Sequence, residues 1–126
     1  MDFEQFVSDY HQYMCTNPNR CVFLGVPQRL DELPDPSEAA QIRQLRTAEQ
    51  LLRQMDSIDA STLDADQKID FSLATQALER VVFESNLRFN GRPHWAICPR
   101  AGDDISDGIF FLFINDPRAP GTRLKN

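Results

Sequence analysis

Two stretches of this chain place apolar residues three and four positions apart behind a strong helix-start signal, and that pattern leaves little choice of architecture. In the first stretch Asp35 reads as an N-cap, Pro36 suits the first helical position, and Glu38 stands where a capping box would place its acid. Ile42, Leu45, Ala48, Leu52 and Met55 then share one face, with Gln41, Arg43, Gln44, Arg46, Glu49 and Arg53 around them. The spacing predicts a helix to about Met55. In the second stretch Asp64 is followed three residues later by Gln67, the form of a capping box. Ile69, Leu73, Ala77, Leu78, Val81 and Val82 form its stripe, which reaches Phe89, and Asn90-Gly91 closes it with a glycine able to turn left-handed. The polar link 57–63 is short, so the two helices are expected to pack as an antiparallel hairpin.

The flanks add two further helices. Asp2 with Gln5 has the capping-box form, and Phe3, Phe6, Val7, Tyr10 and Met14 line one face until Asn17-Pro18 ends the helix. Residues 20–33 read as a connector, extended or with a single turn, whose apolar patch Cys21-Val22-Phe23-Leu24 packs under the helices. Residues 92–102, with Pro93, Pro99 and Gly102, read as irregular. Residues 109–114 are apolar without a break, a pattern shared by a buried strand and a helix buried on all sides. Asp103, Asp104 and Asp107 ahead of that run favour the helix, because its N-terminal dipole attracts negative charge. The expected fold class is all-α: a helical hairpin packed with an N-terminal helix and a short apolar C-terminal helix, as one segment spanning residues 1–126. Pro120 to Asn126 reads as the first turn of a helix that is not completed, which makes the chain read as a piece of a larger helical protein.

Composition narrows the function. The net charge is −6, with 13 basic residues scattered among 19 acidic ones. A nucleic-acid binder needs clustered Lys and Arg to displace counterions, and an anionic membrane repels such a surface. The N-terminus has neither the basic region nor the apolar run of a signal peptide, and six apolar residues fall far short of a membrane span. Three cysteines suit reduced thiols in a cytoplasmic protein better than a disulfide framework.

The order of several short motifs resembles the N-terminal segment of the bacterial family known as domain of unknown function 885. The residues that carry it are Phe3, Phe6, Tyr10 and His11; Leu24-Gly25; Leu33-Pro34-Asp35-Pro36-Ser37; Leu63, Gln67 and Asp70; Asp107-Gly108-Ile109-Phe110; and Asp116, Pro120, Arg123 and Leu124. The similarity runs along essentially the whole chain. It implies a longer, largely helical parent similar to zincin-type metallopeptidases, whose C-terminal half holds a zinc-binding signature of two histidines and a glutamate. This chain has only His11 and His94, neither followed by Glu, so the family's ligands map onto none of its residues. The resemblance thus implies zinc for the parent and no cofactor for this segment, whose catalytic C-terminal region is absent.

Among local constellations, His11-x3-Cys15 with His94-x3-Cys98 offers imidazole and thiolate groups one helical turn apart, a chemistry suited to zinc. No tight Cys-x2-Cys pair accompanies them, and free cysteines acting as small hydrophobes are the plainer reading. Asp103, Asp104 and Asp107 could meet a divalent cation, but helix capping accounts for them without an EF-hand loop. Arg92, His94 and Arg118 sit in loops and could line a cleft that recognises a carboxylate; the plainer reading is an Asp116–Arg118 turn and a loop anchored by Trp95. No nucleophile elbow and no phosphate-cradling glycine loop occurs. No catalytic residue is assigned. The expectation is a non-catalytic N-terminal scaffold of a metal-dependent, peptidase-like hydrolase, its partner being the remainder of the parent polypeptide. The alternative is a free-standing helical interaction module that self-associates through exposed apolar surface, with a small zinc or thiol-redox protein behind both.

Overall fold

The computed structural model describes residues 2–97, 101–123 and Lys125. The helices are α1 (Phe3–Met14), α2 (Pro18–Leu24), α3 (Glu38–Met55), α4 (Ala65–Asn86), α5 (His94–Ile97), α6 (Ala101–Ile114) and α7 (Pro120–Arg123). A 3-10 turn (Ala60–Thr62) precedes α4, and a minimal hairpin of β1 (Arg88–Phe89) and β2 (Arg92–Pro93) follows it. The fold is all-α, as the patterning predicts. The chain forms two compact units: Met1–Tyr13 with Ser37–Cys98, and Met14–Pro36 with Pro99–Asn126.

In the first unit α3 and α4 pack against each other. The cap of α4 is the expected capping box: Asp64 Oδ1 accepts the Gln67 N–H at 2.8 Å, and Gln67 Oε1 accepts the Asp64 N–H at 3.0 Å. The start of α3 differs. Ser37, in extended conformation, is its N-cap and accepts the Ala40 N–H at 3.2 Å, so Asp35 and Pro36 stay outside the helix. α3 contributes Ala48, Leu51 and Met55 to the buried core, α4 contributes Ala74 and Leu78, and α1 contributes Phe3, Phe6 and Tyr13. Phe6 and Phe71 pack with ring centroids 6.5 Å apart. The expected stripe of α4 is only partly covered, because Ile69 and Leu73 face solvent.

The end of α4 also departs from expectation. The helix stops at Asn86, and Asn90-Gly91 forms the turn of a hairpin in which Arg88 pairs with Pro93 and Phe89 with Arg92. Asn90 has φ +51° and Gly91 φ +77°. Two consecutive positive φ values give the type I′ handedness that matches strand twist, which is why Asn-Gly serves a hairpin here and not a helix cap. Phe89 is therefore outside the helical stripe. Residues 92–97, expected to be irregular, complete β2 and α5.

In the second unit residues 18–24 form the helix α2, two turns in place of the connector, extended or with a single turn, expected over residues 20–33. Asn17 accepts the Asn19 N–H at 3.0 Å and Pro18 takes the first helical position. The extended geometry that proline imposes on its predecessor is also the geometry an N-cap requires, so the same dipeptide that bars α1 from continuing starts α2. Gly25, at φ +69°, closes α2 with its N–H directed to the carbonyls of Cys21 and Val22. α2 packs on α6. Phe23 meets the edge of Phe111 at 5.2 Å, Asn115 Nδ2 donates to the Phe23 carbonyl at 3.2 Å, and Asn19 Nδ2 donates to the Asp104 carbonyl at 2.7 Å. Gly108 sits buried at this crossing. α6 is helical as expected but starts at Ala101, so Asp103 and Asp104 lie in its first turn and Asp107 in its second, not ahead of it.

Candidate functional site

Two features expose apolar surface, one in each unit. In the first unit a groove of about 400 Å³ is walled by Phe3, Phe6, Val7 and Tyr10 of α1 and by Asp70, Leu73, Ala74 and Ala77 of α4. Each wall has the spacing i, i+3, i+4, i+7, so each presents two helical turns of one face. Seven of the eight residues are apolar or aromatic, and Asp70 is the sole charge among them. Val7 is 42% exposed and Leu73 59% exposed, so the groove opens to solvent.

In the second unit the exposed feature is the C-terminal half of α6. The side carrying Gly108 and Phe111 is covered by α2, whereas Ile109, Phe110 and Ile114 are each more than half exposed. Phe23 and Leu24 of α2 are exposed to a similar degree. The Phe113 side chain lies outside the described residues.

The candidates from the sequence are dispersed. His11 is exposed on α1. Cys15 is buried, and its carbonyl accepts the Cys21 Sγ–H at 3.5 Å. Burial, reinforced by the neighbouring Cys15 side chain, pushes the Cys21 thiol above its ordinary range, so it stays protonated and unreactive near neutrality. His94 is half-buried at the start of α5, its ring 6.1 Å from Phe89, and Arg92 is exposed on β2. Cys98 and the Trp95 side chain lie outside the described residues. Among the described residues no three His, Cys, Asp or Glu side chains come together in an arrangement able to hold a metal ion. Asp103 and Asp107 are exposed and Asp104 is half-buried; Asp103 and Asp104, in the first turn, stand where the α6 dipole favours negative charge.

Arg118 is the hub of a network within the second unit. Its Nε donates to both oxygens of Asp116, at 3.0 and 2.9 Å, and its Nη2 donates to Asp116 Oδ2 at 2.6 Å. Nη1 pairs with Asp31, and Nη2 also reaches the Leu30 carbonyl at 3.3 Å. Arg123 Nε donates to the Arg118 carbonyl at 2.6 Å. The Asp116–Arg118 turn expected from the sequence is therefore present, and Arg118 ties the segment after α6 to the segment after α2. Asp116 and Arg123, both among the residues carrying the family resemblance, belong to this network.

The Arg118 guanidinium holds the buried Asp116 carboxyl below the usual carboxylate range. A depressed folded-state pKa stabilises the protein above the unfolded value of about 4, and the stabilisation fades as pH falls through the lower folded value. Thermal unfolding followed from pH 6 to pH 2 should accordingly lose midpoint below about pH 4. Asp116→Asn should start lower at pH 6 and descend less steeply; identical acid profiles for the two proteins would show that this carboxylate is not linked to folding.

No helix among the described residues is long and apolar enough to cross a membrane. Comparison with protein-family models, with curated proteins and with solved structures finds no match to the chain. The groove escaped sequence reading because its walls lie some sixty residues apart in the chain. The usable signal was the repeated spacing itself, which marks amphipathic faces without showing which of them the fold leaves open.

Proposed function

We propose that this chain is a non-catalytic helical scaffold of a metal-dependent, peptidase-like hydrolase, a support against which the rest of the parent polypeptide packs. The observation that carries this reading is the C-terminal half of α6. Ile109, Phe110 and Ile114 are exposed apolar residues in the part of α6, residues 109–114, whose sequence is apolar without a break, and such a stretch of helix belongs inside a protein. Contiguous exposed apolar surface of this kind marks a place where more protein packs. The resemblance of residues along the chain to the N-terminal segment of the domain of unknown function 885 family is the reason for reading the parent as such a hydrolase. Zinc in that reading belongs to the parent's C-terminal half. The buried, reduced Cys15 and Cys21 go with a reducing, cytoplasmic setting.

The test combines light scattering with a binding dye that fluoresces on apolar surface. The isolated chain should associate without fixed stoichiometry and bind the dye, and Ile109→Lys combined with Phe110→Ser should abolish the association and weaken dye binding while preserving helicity. It should hydrolyse no peptide, whether zinc or a chelator is added. A monodisperse monomer that ignores the dye would count against the scaffold reading. A dimer of fixed stoichiometry that the same double substitution dissociates would favour the free-standing interaction module.

A further inference from the structure

We infer that the groove between α1 and α4 is a docking site for a third helix, supplied by a partner polypeptide and carrying apolar anchors flanked by Lys and Arg. The inference uses none of the α6 residues and does not depend on the hydrolase reading. Its first support is the matched spacing of the walls. Phe3, Phe6, Val7 and Tyr10 face Asp70, Leu73, Ala74 and Ala77, each set spanning two turns, or about 10 Å of helix. Two walls of that periodicity form the open side of a helical bundle. What fits between them is an amphipathic helix with apolar residues at i, i+3, i+4 and i+7. Ala74 and Ala77 keep one wall low, so large anchors can approach the α4 backbone.

The second support is charge. α1 has no Lys or Arg, and carries Glu4 three residues before Val7 and His11 four residues after it, on the outer rim. On α4 Asp70 lines the groove, and Asp66 lies one turn before it on the same face. Lys68 is two residues from Asp70 and so points to another side of the helix. Arg80 stands one turn beyond Ala77 and faces Glu84 at 3.9 Å. Among the described residues the rim is thus negative, with its one cation at the far end beside a carboxylate. Such a field admits a cationic helix and repels an acidic one. Leu73, Val7 and Asp70 are exposed, so changing them leaves the core of the unit intact.

The test is fluorescence anisotropy with three labelled synthetic helices of roughly fourteen residues. One has leucines at the anchor spacing and lysines elsewhere, the second replaces lysine by glutamate, and the third scrambles the leucines within the lysine peptide. The first should bind saturably and the other two at least about tenfold more weakly. Leu73→Ser should weaken binding of the first by about tenfold and Asp70→Asn by about threefold, with unchanged circular dichroism. No saturable binding at about 100 μM protein would overturn the inference. So would equal binding of the scrambled or acidic helix, or indifference to Leu73→Ser. A dimer that Leu73→Ser dissociates would overturn it as well, by giving the groove to a second copy of the chain.

Discussion

Leu78→Ala should destabilise the first unit by about 3 kcal/mol. Leu78 has no exposed surface and lies on α4, which packs against α3, in the core to which α3 contributes Ala48, Leu51 and Met55. The substitution removes the transfer free energy of the deleted methyl and methylene groups and leaves a cavity that helices held by caps and by the connector 56–64 cannot fully close. In a unit of this size such a loss lowers the unfolding midpoint by roughly 15 °C. Thermal unfolding followed by circular dichroism would measure it, with Leu73→Ala as the comparison. Leu73 is 59% exposed on the same helix, and its loss should shift the midpoint only slightly. Equal shifts for the two variants would mean that Leu73 is as buried in solution as Leu78, and that the groove face is covered.

The second large effect concerns Gly108. A Cβ there would stand 2.9 Å from Asn19 Oδ1 and 2.9 Å from Leu33 Cδ2. The leucine tip can rotate away. The asparagine is less free, because its Nδ2 is bonded to the Asp104 carbonyl at 2.7 Å and its backbone N–H to the Asn17 cap. Gly108→Ala brings about 1 kcal/mol of helix propensity against this clash, so its net effect is small. Gly108→Val has a weaker propensity gain and two further carbons to place, and should destabilise the second unit by roughly 2–3 kcal/mol through overpacking. Hydrogen exchange at the amides of α2 and α6 would report it. Unaltered protection in Gly108→Val would show that the two helices do not pack at this residue.

What the sequence made legible was local. The Asp64–Gln67 cap could be read directly because both partners lie within one turn, and α3 ends at Met55 where its stripe ends. Signals with two uses misled. Asn17-Pro18 both bars α1 and caps α2, and Asn90-Gly91 could close a helix or turn a hairpin; only the backbone signs decide between them. Ser37 outcompetes Asp35 as a cap because it stands adjacent to the helix that Pro36 does not join. The α4 stripe, expected to be buried, holds the buried Leu78 but also the exposed Ile69 and Leu73, because burial is set by what packs on a face. α1 covers Phe71 and leaves Leu73 open, and no pattern within either helix contains that fact. The His and Cys pairs were read from spacing alone, whereas a ligand set needs convergence in space.

The second unit is stitched from distant stretches, and this has an entropic consequence. Bringing α2 to α6 closes residues 25–100, about eight times the length of the connector 56–64 that joins α3 to α4. For a flexible chain this difference costs roughly 2 kcal/mol more, incurred before any contact between α2 and α6 repays it. Prior folding of the first unit would compact the intervening stretch and reduce that cost. The architecture therefore ranks its own assembly: a local helix pair able to form early, and a late closure whose contacts, the Asn19 and Arg118 hydrogen bonds among them, must outweigh the slack they take up.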